Sequence, residues 1–402
     1  MDVYLLDWLN LLLRWAHVIT AVAWIGASFH FVALDNSLLP PDDPAARDRG
    51  IGGELWAVHG GGFYHMQKYP VSPARLPDRL HWSMWESYST WLTGFALFTS
   101  LYLVNAGTFL VDKSLFDWSP AAAIATAVGF LAAFWVVYDA ICRVFGAGRH
   151  GDAVVGGLVF VFVVFAAWLS CQLFAGRAAY LLVGAMLATT MSANVLFWII
   201  PGQRQVVASL RAGTPVDPAH GRRGKQRSFH NTFFTLPVLI AMLSNHFGFL
   251  HAAPHNWFWL VLVMAAGALI RLSFVLRHRA LARGHRVPWQ YAVVGTALLA
   301  GVVVALAPKP RPAPPPGAAA APAPTFAEVA TVVAQRCAMC HHEGLANKGV
   351  RLDTPDQVLA HAQAIHQQAV VLRLMPLNNA TQMTDGEREL LRRWTEAGAP
   401  GP

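Results

Sequence analysis

The sequence holds 402 residues, 55% of them hydrophobic and only 13% charged, with a net charge of +8. Soluble domains carry about 25% charged residues, so the composition excludes a wholly soluble enzyme and assigns a large part of the chain to a lipid bilayer. The basic surplus gathers at 222–227 and 277–286, between apolar runs, and reads as a topology signal rather than as a surface for nucleic acid.

A membrane-spanning helix needs about 20 mainly apolar residues to cross roughly 30 Å of hydrocarbon. Eight runs qualify: 5–34, 83–110, 120–145, 153–174, 178–200, 232–250, 257–276 and 289–307. Asp2 and Asp7 stand where a cleavable signal peptide has basic residues, and the first run is too long for one, so it is expected to stay as a helix. Arg47, Arg49, Lys68, Arg75 and Arg79 follow the first run, and Arg143 and Arg149 the third. Arg204, Arg211, Arg222, Arg223, Lys225 and Arg227 follow the fifth, and Arg277, Arg279, Arg283 and Arg286 the seventh. The positive-inside rule places those four loops in the cytoplasm and both termini outside. His59 and His65 flank Gly60-Gly61-Gly62 in the first of them, which reads as a solvated loop. Cys142 and Cys171 stand alone in apolar runs as small buried hydrophobes, and Asp139 and Arg143, one turn apart, read as a structural pair.

After the eighth run, 308–324 is a Pro/Ala-rich stretch that reads as a semi-rigid linker. Beyond it the composition turns polar. A helix leads into Cys337-Ala338-Met339-Cys340-His341, and another is expected over 385–394. In this C-x-x-C-H spacing two thiols on one turn can form thioethers to vinyl groups, while the adjacent imidazole meets the iron, so the motif points to covalent haem c. A zinc site would need further ligands at suitable spacing, and no second Cys pair exists; a redox dithiol is the other rival. The sixth iron ligand is expected from Met375, in a Met-Pro pair like that of small class I cytochromes c, with Met383 as its rival and as a candidate core methionine. The expected fold is therefore all-α: a polytopic eight-helix transmembrane bundle over 1–307, the linker over 308–324, and a small class I-like cytochrome c domain over 325–402.

Polar residues inside apolar runs mark sites, because lipid penalises them. The first run carries Arg14, His17 and His30; the second opens near His81 and holds Glu86; the sixth holds His230, Asn231, Asn245 and His246. His17 and His246 fall towards the outer face, whereas His30, His81 and His230 fall towards the cytoplasm. Such layering would suit one or two non-covalent haems b, with His17 and His246 as candidate iron ligands.

Several stretches resemble one family, the membrane-bound urate hydroxylases (urate oxidase, N-terminal membrane type) that end in a cytochrome c domain. They are Arg14-Trp15-Ala16-His17 through Trp24-Ile25-Gly26, and Trp82-Ser83-Met84-Trp85-Glu86-Ser87-Tyr88 through Thr90-Trp91-Leu92-Thr93-Gly94. To these are added 194–203 and Ser228-Phe229-His230-Asn231-Thr232 through Ser244-Asn245-His246-Phe247. The resemblance implies oxidation of urate to 5-hydroxyisourate, with electrons leaving through haem c to a soluble cytochrome or terminal oxidase instead of making hydrogen peroxide. Independently of the resemblance, eight crossings place the cytochrome domain on the outer, periplasmic side of a bacterial inner membrane, the side on which c-type haem is attached. On the basis of the resemblance Arg227 is the candidate anion binder, His230 the base, Asn231 an amide partner and Glu86 an orienting carboxylate. Plainer roles stand beside these: Arg227 as a positive-inside anchor, Glu86 as an interfacial carboxylate, and His230-Asn231 as the self-capped start of a helix. Two other functions stay open. One is a pure electron-transfer subunit fed by quinol or a partner protein; the other is a haem- or metal-handling membrane protein, which an opening Arg-Trp-x-His helix also resembles.

Overall fold

The structure is a computed structural model that describes residues 2–148, 150–307, 322–346 and 349–402. The expected linker falls almost wholly on 308–321, outside the described residues, as does Arg149. Helix dominates. All eight apolar runs lie on helices, and five helices among the described residues are long and apolar enough to cross a membrane: Tyr4–Ser37, Pro120–Phe145, Gly151–Leu173, Gly176–Arg211 and Asn256–Ala282.

The first helix, α1 (Asp2–Ser37), turns Leu5, Trp15 and Val22 outward, as a lipid-facing helix does. After a short α2 (Pro44–Asp48) the expected solvated loop is instead a hairpin of β1 (Gly53–His59) and β2 (Gly62–Lys68). Its two-residue turn takes Gly60 and Gly61 at φ of 59° and 81°, which glycine adopts without strain and which matches the twist of a hairpin. His65 stacks on Trp56 and meets Glu54 at 2.8 Å, so its partners lie within the hairpin.

The second run is interrupted. Its helix α3 (Trp85–Phe98) passes through a π-helical turn at Thr99–Leu103, and a break at Asn105 precedes α4 (Ala106–Phe109). Ser119 caps α5 (Pro120–Phe145), and α6 (Gly151–Leu173) follows. The fifth run is longer than its apolar part: α7 (Gly176–Asn194) continues through a π-helical turn at Val195–Ile199 into α8 (Ile200–Arg211). The sixth helix, α9 (Pro218–Leu243), starts 14 residues before the expected 232. The Asp217 side chain accepts from Ala219 N at 2.8 Å and Pro218 occupies the first turn, a start signal that hydropathy does not register. His230 and Asn231 therefore sit in mid-helix and start nothing. A 3₁₀ turn (Ser244–His246) and α10 (Gly248–His251) lead to α11 (Asn256–Ala282) and α12 (Gln290–Ala305).

Helix α7 is the centre of the bundle, packed on α3, α5, α6 and α9, while α11 packs on α1, α9 and α12. Close approach of α7 to α9 depends on Gly184, where an added Cβ would stand 2.9 Å from Ala241 Cβ.

A second hydrophobic core belongs to α13 (Phe326–Arg336), α14 (Pro355–Ala360), α15 (Ala362–Ile365) and α16 (Asp385–Glu396), around Val329, Leu391 and Trp394. Capping boxes start α13, α14 and α16 through Thr325/Glu328, Thr354/Gln357 and Thr384/Glu387. Arg336 on α13 pairs with Glu387 on α16 at 2.8 Å. This C-terminal unit rests on the end of the bundle formed by α4 and α10. Asn378 Nδ2 donates to Thr108 O at 2.5 Å, and Leu374 fills the space where Gly248 has no side chain.

Replacing Gly184 with Leu should separate α7 from α9 and cost about 1–3 kcal/mol. Thermal unfolding in detergent should show the loss, with Gly184→Ala falling between that variant and the native chain.

Candidate functional site

At the arginine-rich end of the bundle, far from the C-terminal unit, α5, α7 and α9 bring polar side chains into the core. Asp139 on α5 is the hub. Its Oδ1 accepts from Arg227 Nη2 and from Trp198 Nε1, both at 2.7 Å, and its Oδ2 accepts from Arg143 Nε at 2.6 Å. Arg143, Arg223 and Arg227 all lie over the Trp198 ring, with guanidinium carbons 4.8–5.7 Å from its centroid. The π-helical turn at Val195–Ile199 carries that indole, as π-turns often do at functional sites.

One turn deeper, a second set of hydrogen bonds joins the same helices. His230 Nδ1 meets the Tyr138 hydroxyl at 2.8 Å, and Asn194 Nδ2 donates to that hydroxyl at 3.1 Å and to Asn231 Oδ1 at 3.0 Å. Asn231 Nδ2 in turn donates to Met191 O at 3.0 Å. Tyr138, Asp139, Asn194, Arg227, His230 and Asn231 are all buried. Arg227 Nη1 is buried with no hydrogen-bond partner among the described residues. Cys142, expected as a plain small hydrophobe, places its sulfur 3.9 Å from His230 Nδ1.

Three of the four expected site residues are thus buried side by side: Arg227 in the Asp139 set, His230 and Asn231 in the second, with the Arg227 guanidinium carbon 4.9 Å from the Tyr138 ring centroid where the two sets meet. Glu86 joins neither set. It is half-buried near the start of α3, and its carboxylate has no hydrogen bond or ion pair among the described residues. The carboxylate that orients Arg227 is Asp139, which a one-turn spacing had paired with Arg143 alone. Tyr138, Asn194 and Trp198 were not expected; the available signal was a lone Asp in an apolar run and a lone Asn just before Trp198 and Pro201.

The other end of the bundle is also polar. Asn245 Oδ1 accepts from Tyr102 OH at 2.8 Å and from Arg177 Nε at 2.9 Å. His246 beside it is exposed. His17 is held on α3, with Nδ1 3.1 Å from both Thr90 O and Thr93 Oγ1, and an added Cβ at Gly94 would stand 2.8 Å from its ring.

In the C-terminal unit, Cys337 ends α13, and the chain turns through Cys337 O, which accepts from Cys340 N at 3.1 Å. His341 Nδ1 lies 3.2 Å from Val350 O. Donation to that carbonyl fixes the ring and frees Nε2, the arrangement common to iron-binding histidines. Burial pushes the Cys337 thiol up to about 11, opposite to the lowered value of a redox dithiol. Met375 packs against the same core as Cys337, and its carbonyl accepts from Arg388 Nη1 at 2.9 Å. Met383 is sealed inside that core. Cys337, Cys340 and His341 thus stand on one turn, with Met375 beside the same small core.

The fold is thus that of a helical protein with long apolar helices suited to multiple membrane crossings and a buried Arg–Asp–His–Asn network at one end. Residues 3–307 match the family model described as Urate oxidase N-terminal, and the chain belongs to that family. No curated protein and no solved structure matches it.

Asp139→Asn should leave Arg227 buried without its counter-charge and destabilise the bundle by about 3–5 kcal/mol. The double variant Asp139→Asn, Arg227→Gln should recover part of that loss. Unfolding of the four proteins of this cycle measures the coupling.

Proposed function

We propose that the protein is a membrane-bound urate hydroxylase that oxidises urate to 5-hydroxyisourate at the buried network on α9. Its eight helical runs cross a bacterial cell membrane, with both termini and the cytochrome c domain on the outer side. The observation that carries this reading is the network itself: a histidine, two amides and an arginine, held in an apolar bundle within the span that matches the urate oxidase family.

Urate is an electron-rich planar anion. Loss of two electrons and two protons, with addition of one water at C5, gives the hydroxylated product. The chain must bind the anion, take up protons and keep bulk water out. His230 does the second of these: in the tautomer whose Nδ1–H donates to the Tyr138 oxygen, Nε2 keeps the lone pair that a proton acceptor needs. Asn194 fixes Tyr138 and Asn231 together, which holds the His230 ring against rotation. Arg227 adds positive potential, although Asp139 already balances much of it. The surrounding apolar helices exclude water and strengthen each of these interactions.

A haem c on Cys337, Cys340, His341 and Met375 would supply a one-electron exit to a soluble cytochrome or terminal oxidase. The topology is supported by Arg211, Arg222, Arg223, Lys225 and Arg283 gathering at one end of the bundle, while the C-terminal unit docks at the other.

Anaerobic addition of urate to the purified oxidised protein should reduce its haem c, two protein molecules each taking one electron for every urate oxidised, and labelled water should supply the new oxygen. His230→Gln should slow that reduction by about 10²–10⁴-fold while leaving the haem spectrum intact. Haem c that stays oxidised with urate, yet accepts electrons from a chemical reductant or quinol, would favour the electron-transfer subunit instead.

The haem assignment has its own test. Cys337→Ala with Cys340→Ala should abolish covalent haem staining while the bundle still inserts. Met375→Ala should lower the haem potential and admit carbon monoxide; the same effect from Met383→Ala alone would overturn the ligand assignment.

A further inference from the structure

Three arginines are buried among the described residues: Arg227, Arg271 and Arg388. Two are partnered. Arg227 has Asp139 at 2.7 Å, and Arg388 donates to Ala369 O, Met375 O and Asn379 Oδ1. Arg271 differs. It is 7% exposed, and both Nε and Nη2 are buried with no hydrogen-bond partner among the described residues. No carboxylate among the described residues forms an ion pair with it.

Its place in the fold makes this costly. Arg271 lies on α11, 11 residues before the helix ends at Ala282, or roughly 16 Å at 1.5 Å per residue. That puts it in the apolar part of a helix long enough to span a membrane. The Phe29 ring of α1 covers one face of its guanidinium, with the centroid 3.6 Å from Cζ. A ring face attracts a cation but satisfies none of its N–H donors. A buried, unpaired charge in a membrane helix is retained where it has a task.

The geometry of the unmet donors defines the partner. Nε and Nη2 share one edge of the guanidinium, the fork that holds a planar anion by two parallel hydrogen bonds. Helix α11 also packs directly on α9, which carries His230 and Asn231. We infer that Arg271 is the anion-binding residue of the membrane domain: its Nε–Nη2 edge receives a planar monoanion that presents two adjacent acceptor atoms, while Phe29 covers the guanidinium face. Resting on the function proposed above, that anion is urate, which offers a deprotonated ring nitrogen beside a carbonyl oxygen. The propionate of a non-covalent haem presents similar chemistry, so the test must separate the two.

The full chain, purified in detergent, is reduced with dithionite so that bound urate cannot be oxidised. Urate affinity is then measured by equilibrium dialysis for the native protein, Arg271→Gln and Arg271→Lys. Melting with and without urate, and haem extractable by acid-acetone, are recorded alongside. Arg271→Gln should bind urate at least 100-fold more weakly, and Arg271→Lys, which keeps the charge but not the fork, should fall between. Without urate, Arg271→Gln should melt no lower than the native chain, because the substitution removes an uncompensated charge; with urate, only the native chain should gain stability. Native-like affinity in Arg271→Gln would overturn the inference, as would a clear drop in its urate-free melting point, which would mark a structural role. Retained affinity with loss of extractable haem would assign the fork to a propionate and likewise overturn it. Failure of the native protein to bind urate would overturn the proposed function itself.

Discussion

Asp139 accepts three donors from three directions, and the helices that carry them cannot be rearranged without stranding a charge. Arg143 lies on α5 itself, Trp198 on the π-helical turn after α7, and Arg227 on α9. In an apolar bundle the alternative to this arrangement is an uncompensated ion, which costs several kcal/mol. The carboxylate therefore fixes the rotation of α9 relative to α5 and α7. That rotation in turn presents His230 to Tyr138 and Asn231 to Asn194, one turn further along the helix. Packing agrees with the electrostatics, since Gly184 lets α7 and α9 approach closely nearer the other end.

The two ends of the molecule have different chemistry. The network around Asp139 sits where basic residues accumulate, whereas the C-terminal unit rests on α4 and α10 at the opposite end. From His230 to Leu243 alone the rise along α9 is roughly 20 Å at 1.5 Å per residue. On the proposed function, electrons released near His230 would have to cover at least that distance to reach the cysteine motif. His17, fixed on α3 by Thr90 and Thr93, and the Tyr102–Asn245–Arg177 cluster lie in the half of the bundle through which they would pass.

Apolar length was readable because lipid leaves few solutions: among the described residues five helices are long and apolar enough to cross a membrane, while the second and sixth runs are each divided between helical segments. The start of α9 was not readable in that way, because Asp217 and Pro218 begin a helix whose first turns are basic, and hydropathy sees only the apolar remainder. The Gly60-Gly61 turn was visible as glycine, but its meaning as a hairpin depended on pairing between β1 and β2. The C-x-x-C-H motif is local, so it was legible; the His341–Val350 contact that orients its imidazole needed the fold. Asp139 looked like half of a one-turn ion pair, because spacing shows neighbours on one helix and not those arriving from α7 and α9. Arg271 was legible as a lone cation inside an apolar run and was passed over; only burial showed that its fork has no partner.

A structure of the full chain, chemically reduced and bound to urate, bears most directly on where the chemistry happens. Cryo-electron microscopy would resolve a planar purine inside a bundle of this kind. Urate should lie between α9 and α11, with its anionic edge on the Arg271 fork and His230 within hydrogen-bond reach. A purine at the opposite end among Tyr102, Arg177 and Asn245, or bound only outside the bundle, would contradict the assignment of the active site to the network that Asp139 organises.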